Sequence, residues 1–211
     1  MTARWLQSPV FYPPDRLMQH WLLRILPLGL LAAVFPLMQL SSAGAVSDAS
    51  VLPVRIERMG PYGGDVRSLL IDAQDPETVF LGTSNGRIFK SSDAGRSWAV
   101  LRPGIGPYRY VIDTLVQHPK EHSRIYAGAW DLHSEGGGLF ESPDAGAGWK
   151  RVPLPRPDAA VRGVALCRDH PERMAAATLD GVYVSADGGK SWEKVGGEEL
   201  HKAESVAIDP V

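Results

Sequence analysis

An eight-residue phrase, Ser-x-Asp-x-Gly-x-x-Trp, occurs three times in the chain, at residues 91–98, 142–149 and 185–192. Each copy follows a short apolar run (87–90, 138–141, 181–184) and leads into another (98–101, 149–152, 192–195). A turn-forming phrase held between two such runs reads as a β-hairpin. The chemistry of the phrase is that of a shaped turn. An Asp at the start of a turn accepts hydrogen bonds from N–H groups a few residues on, and a Gly two positions later takes the positive φ that the reversal needs. The Ser hydroxyl is placed to bond the carboxylate, and the Trp re-enters the sheet as an apolar anchor. Ser91, Asp93, Gly95 and Trp98 are therefore expected to be structural, as are Ser142, Asp144, Gly146 and Trp149, and Ser185, Asp187, Gly189 and Trp192. A carboxylate that spends its lone pairs on its own loop is poorly placed for general acid or base work.

The residues around the boxes repeat as well. The first repeat reads as strands at 66–71, 78–83, 87–90 and 98–101, the second at 111–116, 124–128, 138–141 and 149–152, the third at 161–166, 173–178, 181–184 and 192–195. Asp93, Asp144 and Asp187 recur within the period of roughly 40 to 50 residues typical of four-stranded blades. The second repeat is the longest, and the reading places an insertion at 129–137, between its second and third strands. Ser205-Val206-Ala207-Ile208-Asp209 copies Ser68-Leu69-Leu70-Ile71-Asp72, so another blade is expected to begin at 203 and to be truncated. The alternating run 54–59 reads as a lone strand, placed where an outer fourth strand would complete another blade. The expected fold class is all-β: a β-propeller fragment of three four-stranded blades, about 66–101, 111–152 and 161–195, plus the first strand of a fourth.

The phrase resembles the Asp-box, or bacterial neuraminidase repeat, of sialidases, xyloglucan-hydrolysing endoglucanases, sortilin-type receptors and proteins similar to the photosystem II stability/assembly factor. That resemblance covers residues 54–211. It implies a β-propeller, and it implies no single function, since the families that share the box do unrelated things.

The first 50 residues have another character. An apolar run at 25–40 is followed by Ser41-Ser42-Ala43-Gly44-Ala45, the form of a signal-peptidase site. Residues 1–45 are read as a signal peptide, 46–53 as a linker, and 54–211 as the partial propeller. The apolar run is short for a spanning helix, which needs about 20 residues; an uncleaved membrane anchor is the alternative, and Met18 is a second candidate start. The expected location is exported, periplasmic or extracellular in a bacterial envelope. Cys167 is the only cysteine, so no disulfide forms within the chain, and its apolar setting reads as a packed thiol. A formal net charge of -2 gives no field for nucleic acid or an anionic membrane. Six scattered His and no Asp-x-Asp-x-Asp-Gly loop suggest neither a metal nor another cofactor.

Antiparallel blades place function. First-to-second and third-to-fourth turns share one rim, while second-to-third turns share the other with the connections between blades. The boxes thus mark one rim, and in families with the Asp-box the binding face is the opposite one. That rim collects Asn85, Arg102, Tyr108, Arg109, Tyr110, Trp130, Asp131, His133, Glu135, Arg156, Asp180 and His201. Loops on a rigid scaffold concentrate binding residues, and Trp, Tyr and Arg dominate hot spots. The binding group expected is Trp130, Asp131, His133 and Glu135 with Tyr108, Arg109 and Tyr110, with Trp130 as a solvent-facing anchor in the inserted loop. Sialidase resemblance would require Arg-Ile-Pro, and here Arg55-Ile56 is followed by Glu57. Xyloglucanase resemblance would require Thr-Asp-x-Gly-Gly after the second strand, whereas the chain has Thr83-Ser84-Asn85-Gly86. Asp131 and Glu135 are the one candidate carboxylate pair, flanked by glycines that suggest mobility. The functional expectation is a non-catalytic binding or assembly scaffold for a protein or glycan. A glycoside hydrolase fragment, sialidase-like or xyloglucanase-like, is the alternative.

Overall fold

The computed structural model describes residues 60–61, 65–106 and 108–209. The expected signal segment, linker and strand 54–59 lie outside them. The described residues build three antiparallel sheets, each of four strands in chain order. Blade 1 is β1 (Val66–Ile71), β2 (Val79–Thr83), β3 (Ile88–Ser91) and β4 (Ala99–Val100). Blade 2 is β5 (Tyr110–Gln117), β6 (Ile125–Asp131), β7 (Gly137–Ser142) and β8 (Lys150–Val152). Blade 3 is β9 (Val161–Leu166), β10 (Met174–Thr178), β11 (Gly181–Ser185) and β12 (Glu193–Val195). The all-β propeller reading holds.

Burial explains the composition of each strand. β2 and β10 are buried along their whole length, because neighbouring elements cover both faces of a blade's second strand. They accordingly read as near-continuous apolar or small-residue runs. The outer strands β4 and β12 are mostly exposed and short. Small residues sit where blades approach most closely. A Cβ on Gly82 of β2 would lie 2.7 Å from Ile112 Cγ2 of blade 2, and one on Gly128 of β6 would lie 2.9 Å from Val161 Cγ1 of blade 3.

Two cores result, one at each contact between blades. Phe80 and Ile88 of blade 1 meet Ile112, Ile125 and Phe140 of blade 2, with Trp149 packed against them. Tyr126, Leu139 and Val152 of blade 2 meet Val161, Met174 and Trp192. Trp149 and Trp192 therefore anchor their blades to the preceding one. Cys167 is a buried free thiol.

The box turns share one hydrogen-bond pattern. The Ser hydroxyl bonds the Asp carboxylate at 2.7, 2.7 and 2.8 Å in turn, and also accepts the Gly N–H at 2.8, 2.8 and 2.9 Å. The carboxylate accepts a further N–H from Ser97, Gly148 or Ser191. Two successive residues, not the Gly alone, take positive φ: Ala94 and Gly95, Ala145 and Gly146, Gly188 and Gly189. The N–H of the first of each pair donates to the first-to-second loop of its own blade, at Glu77, Ser123 or Glu172. This ties the box rim together as the topology requires.

Two expectations change. The insertion at 129–137 is partly strand: β6 runs on through Trp130 to Asp131, β7 starts at Gly137, and residues 132–136 form the turn. Residues 203–209, expected as a first strand, lie in that strand's place beside β9 without forming a ladder. The N–H groups of Lys202 and Ala203 donate to Leu179 and Thr178, and Ser205 Cα would lie 3.1 Å from a Cβ on Gly163. A ladder needs the blade's second strand, which is not among the described residues.

Candidate functional site

The rim opposite the boxes is made by the turns β2–β3, β6–β7 and β10–β11 and by the links from one blade to the next. Backbone bonds join turn to link: Ser84 N to Asp65 O, Leu132 N to Arg109 O, Leu179 N to Ala160 O and Lys202 N to Leu179 O. The β6–β7 turn is also bridged to the next link at Gly136 and Ala159. The candidate residues therefore share one rim.

Their individual settings differ from the sequence expectation. Trp130 is half-buried rather than solvent-facing. Its indole N–H donates to Asp113 at 2.7 Å and the guanidinium of Arg162 stacks 4.3 Å from its ring. Asp131 is not mobile: it is 3% exposed, accepts the His133 N–H at 2.9 Å and is bonded by Arg109. The His133 N–H, and then Arg109, hold its carboxyl below the usual range. Tyr110 belongs to the core, tilted against Phe140 with ring centroids 6.3 Å apart. Asn85 is turned inward to accept from Thr83 Oγ1 at 2.7 Å. His133, Glu135 and Tyr108 are exposed, and so is His201.

Arg156 joins two blades' turns, lying 3.9 Å from Glu135, 3.6 Å from Asp158 and 3.9 Å from Asp180. Asp180 also takes the Tyr183 hydroxyl and lies 3.5 Å from Lys194 Nζ. The Tyr183 hydroxyl bond, supported by Lys194 and Arg156, lowers its pKa. Burial and that carboxylate together push the Tyr183 phenol up to about 12. Asp131 and Glu135, the pair considered for catalysis, are thus each claimed by a different arginine.

Sequence reading missed a chain of charges along the inner edge of this rim. β1 packs against β5 and β5 against β9, so the first strands converge. Arg67, Asp113 and Arg162 sit at register shifts of these strands. Asp113 is 3.0 Å from Arg67 and 3.0 Å from Arg162, and Arg162 lies 2.7 Å from Glu204. Four successive repeats therefore place alternating charges at one position and link them. The signal was legible: each run carries one charge at its second or third residue, in an otherwise apolar pattern, and the sign alternates from Arg67 to Glu204. A cavity of about 300 Å³ also opens on this rim of blade 1, beside Arg87, Arg102 and Tyr108.

No family model matches the chain. A xyloglucanase from Paenibacillus sp is 29% identical over 171 residues, covering 63% of this chain and 16% of the relative. A vacuolar protein sorting/targeting protein 10 from Aspergillus terreus is 35% identical over 60 residues, covering 28% of this chain and 4% of the relative. Among solved structures, the xyloglucanase of family GH74 from Xanthomonas campestris superposes with a TM-score of 0.55 at 23% identity, over 67% of this chain and 25% of its own. YCF48 bound to a D1 peptide gives 0.50 at 16% identity, over 65% of this chain and 42% of its own. These likenesses bear out the resemblance to the Asp-box β-propellers. The chain spans a small part of the length of the curated relatives it matches.

Proposed function

We propose that the chain is part of an exported, partner-binding β-propeller that engages a glycan or a protein through the rim opposite its boxes. The observation that carries this reading is the state of the rim's carboxylates. Asp113, Asp131 and Asp180 are each bound to cations, and Asp131 and Asp180 are displaced toward lower pKa. A glycosidase needs one carboxyl held protonated opposite a second that is free to act. Carboxylates committed to arginines suit a rigid display surface better than proton transfer. YCF48 bound to a D1 peptide and the xyloglucanases support a protein or a glycan as the general class of partner. Export follows from reading 1–45 as a signal peptide ahead of a linker at 46–53 and a propeller from 54.

Hydrolysis is the second reading, favoured by the match to the Paenibacillus xyloglucanase over 63% of the chain. The test is to incubate the purified chain with xyloglucan and with a panel of acidic and neutral glycans and envelope polypeptides. Retention of a partner without new reducing ends is expected. Release of reducing ends that disappears with Asp131→Asn would overturn the reading.

A further inference from the structure

Blades 2 and 3 carry a cation on the fourth strand opposite an aromatic residue of the third, Arg151 opposite Phe140 and Lys194 opposite Tyr183. The same register in blade 1 pairs Phe89 with Val100. Two residues before the aromatic, blades 2 and 3 have Gly138 and Gly181, whereas blade 1 has Arg87. The exchange has a steric cause. A Cβ on Gly138 would come within 2.2 Å of Arg151 Nη1, and one on Gly181 within 2.9 Å of Lys194 Cε. Blade 1 has thus moved its cation across the hairpin.

The move changes what the cation faces. Arg151 donates 2.7 Å bonds to the carbonyls of Gly137 and Pro157, and Lys194 lies 3.5 Å from Asp180. Arg87 has no such acceptor for its guanidinium among the described residues. It lies 5.7 Å from the centroid of Tyr108, a ring 71% exposed, in the wall of the cavity of about 300 Å³. Arg102, in the same wall, has no ion-pair partner among the described residues either. The carbonyl of Gly86, equivalent to the Gly137 carbonyl that Arg151 occupies in blade 2, is not taken by a side chain of the described residues.

We propose that this cavity binds a carboxylated pyranose, a uronate unit of an acidic glycan. This rests on the reading of the rim as a binding surface and names its ligand. Two unpaired guanidiniums form charge-assisted, geometrically defined bonds to a carboxylate. The exposed face of Tyr108 offers an apolar platform for the ring, and the Gly86 carbonyl accepts a hydroxyl. A peptide carboxylate would use only the arginines. The volume is at the lower end of that of small-ligand pockets, roughly 300 to 1,000 Å³, and suits one sugar unit.

The experiment is calorimetric titration of the full chain with an oligogalacturonate, its methyl ester, a neutral oligoglucoside and an acidic peptide. The oligogalacturonate should bind at least about tenfold more tightly than its ester, as expected for losing a charged hydrogen bond. Arg87→Ala and Arg102→Ala should each remove that preference. Melting curves verify that each variant is folded. Equal affinity for acid and ester, or binding unaffected by both arginine variants, overturns the proposal. Binding of the acidic peptide alone also overturns it while leaving the partner-binding reading intact, and xyloglucan hydrolysis would instead remove that reading.

Discussion

The box rim and the opposite rim are two ends of the same strands, and they have been built under different constraints. At the box rim Ser, Asp and Gly make the same hydrogen bonds in all three blades to within about a tenth of an ångström. At the other, one turn is closed by Thr83 and Asn85, one by Asp131 with Arg109, and one by Thr178, whose hydroxyl donates to the Gly181 carbonyl at 2.7 Å. A turn whose task is to hold a blade in place has one good solution and repeats it. A rim free of that task can vary from blade to blade, and Arg87 and Arg102, without ion-pair partners among the described residues, border the cavity of blade 1 there.

The largest test of this division is Trp192→Ala. Trp192 is 8% exposed, packs at the contact between blades 2 and 3, and donates its N–H to the Gly189 carbonyl at 3.0 Å. Emptying that site should destabilise the chain by about 3 to 5 kcal/mol in chemical denaturation. Ligand affinity measured below the transition should stay unchanged. Loss of affinity in the folded variant would mean that the two rims are coupled.

Asp113→Ala challenges the comparison from the other side, since it asks whether the opposite rim also holds blades together. The side chain is 9% exposed and serves Arg67, Arg162 and Trp130. Its removal leaves Arg162 with Glu204 alone and should cost about 3 kcal/mol. The equivalent loss for an exposed pair, such as Glu135 with Arg156, should be within about 0.5 kcal/mol. If Asp113→Ala is as mild, the chain of charges along the first strands is decoration.

What could be read from sequence divides along the same line. Strand order and the hairpin turns at Asp93, Asp144 and Asp187 were legible because they recur, and recurrence separates a pattern from its background. Trp130 was misjudged because a Trp in an apparent insertion looks exposed. Only the pairing of Trp130 with Gly137 shows that the extra residues lengthen β6 and β7. Arg87 went unnoticed for the opposite reason: it lies in a repeated run, and its meaning comes from the Val100 across the hairpin, which a linear reading does not bring beside it.

Acid should separate the rims by mechanism. The hydroxyl and N–H of Ser97, with Ser91, hold Asp93 at about 2, and Ser191 with Ser185 does the same for Asp187, against an ordinary 3.8. Because the folded values are depressed, the stability these groups contribute is complete above about 3.8 and is lost as pH falls toward about 2. Asp187→Asn should lower the melting temperature by a few degrees at neutral pH and flatten its decline through that window. A variant that keeps the full acid dependence would assign that dependence to other carboxylates.

The smallest expected effect lies inside the repeated rim, at the seventh position of the box, where the second copy has Gly and the other two have Ser. Ser97 and Ser191 each donate a hydroxyl to the second carboxylate oxygen of their Asp, and Gly148 stands in their place. Asp144 is still lowered, by Ser142 and by the Gly148 N–H, but it lacks that third donor. A Cβ on Gly148 would lie 3.2 Å from Asp144 Oδ2, on the side from which the serine hydroxyls reach the other two boxes. Its φ is not among the positive ones, so a side chain adds no backbone strain. Gly148→Ser should therefore draw the Asp144 pKa further down in an NMR titration and raise the melting temperature slightly, since it also removes a glycine's freedom from the unfolded chain. An unmoved pKa would mean that the shared geometry of the boxes does not carry shared energetics, and that the 3.2 Å approach is relieved by moving the carboxylate instead.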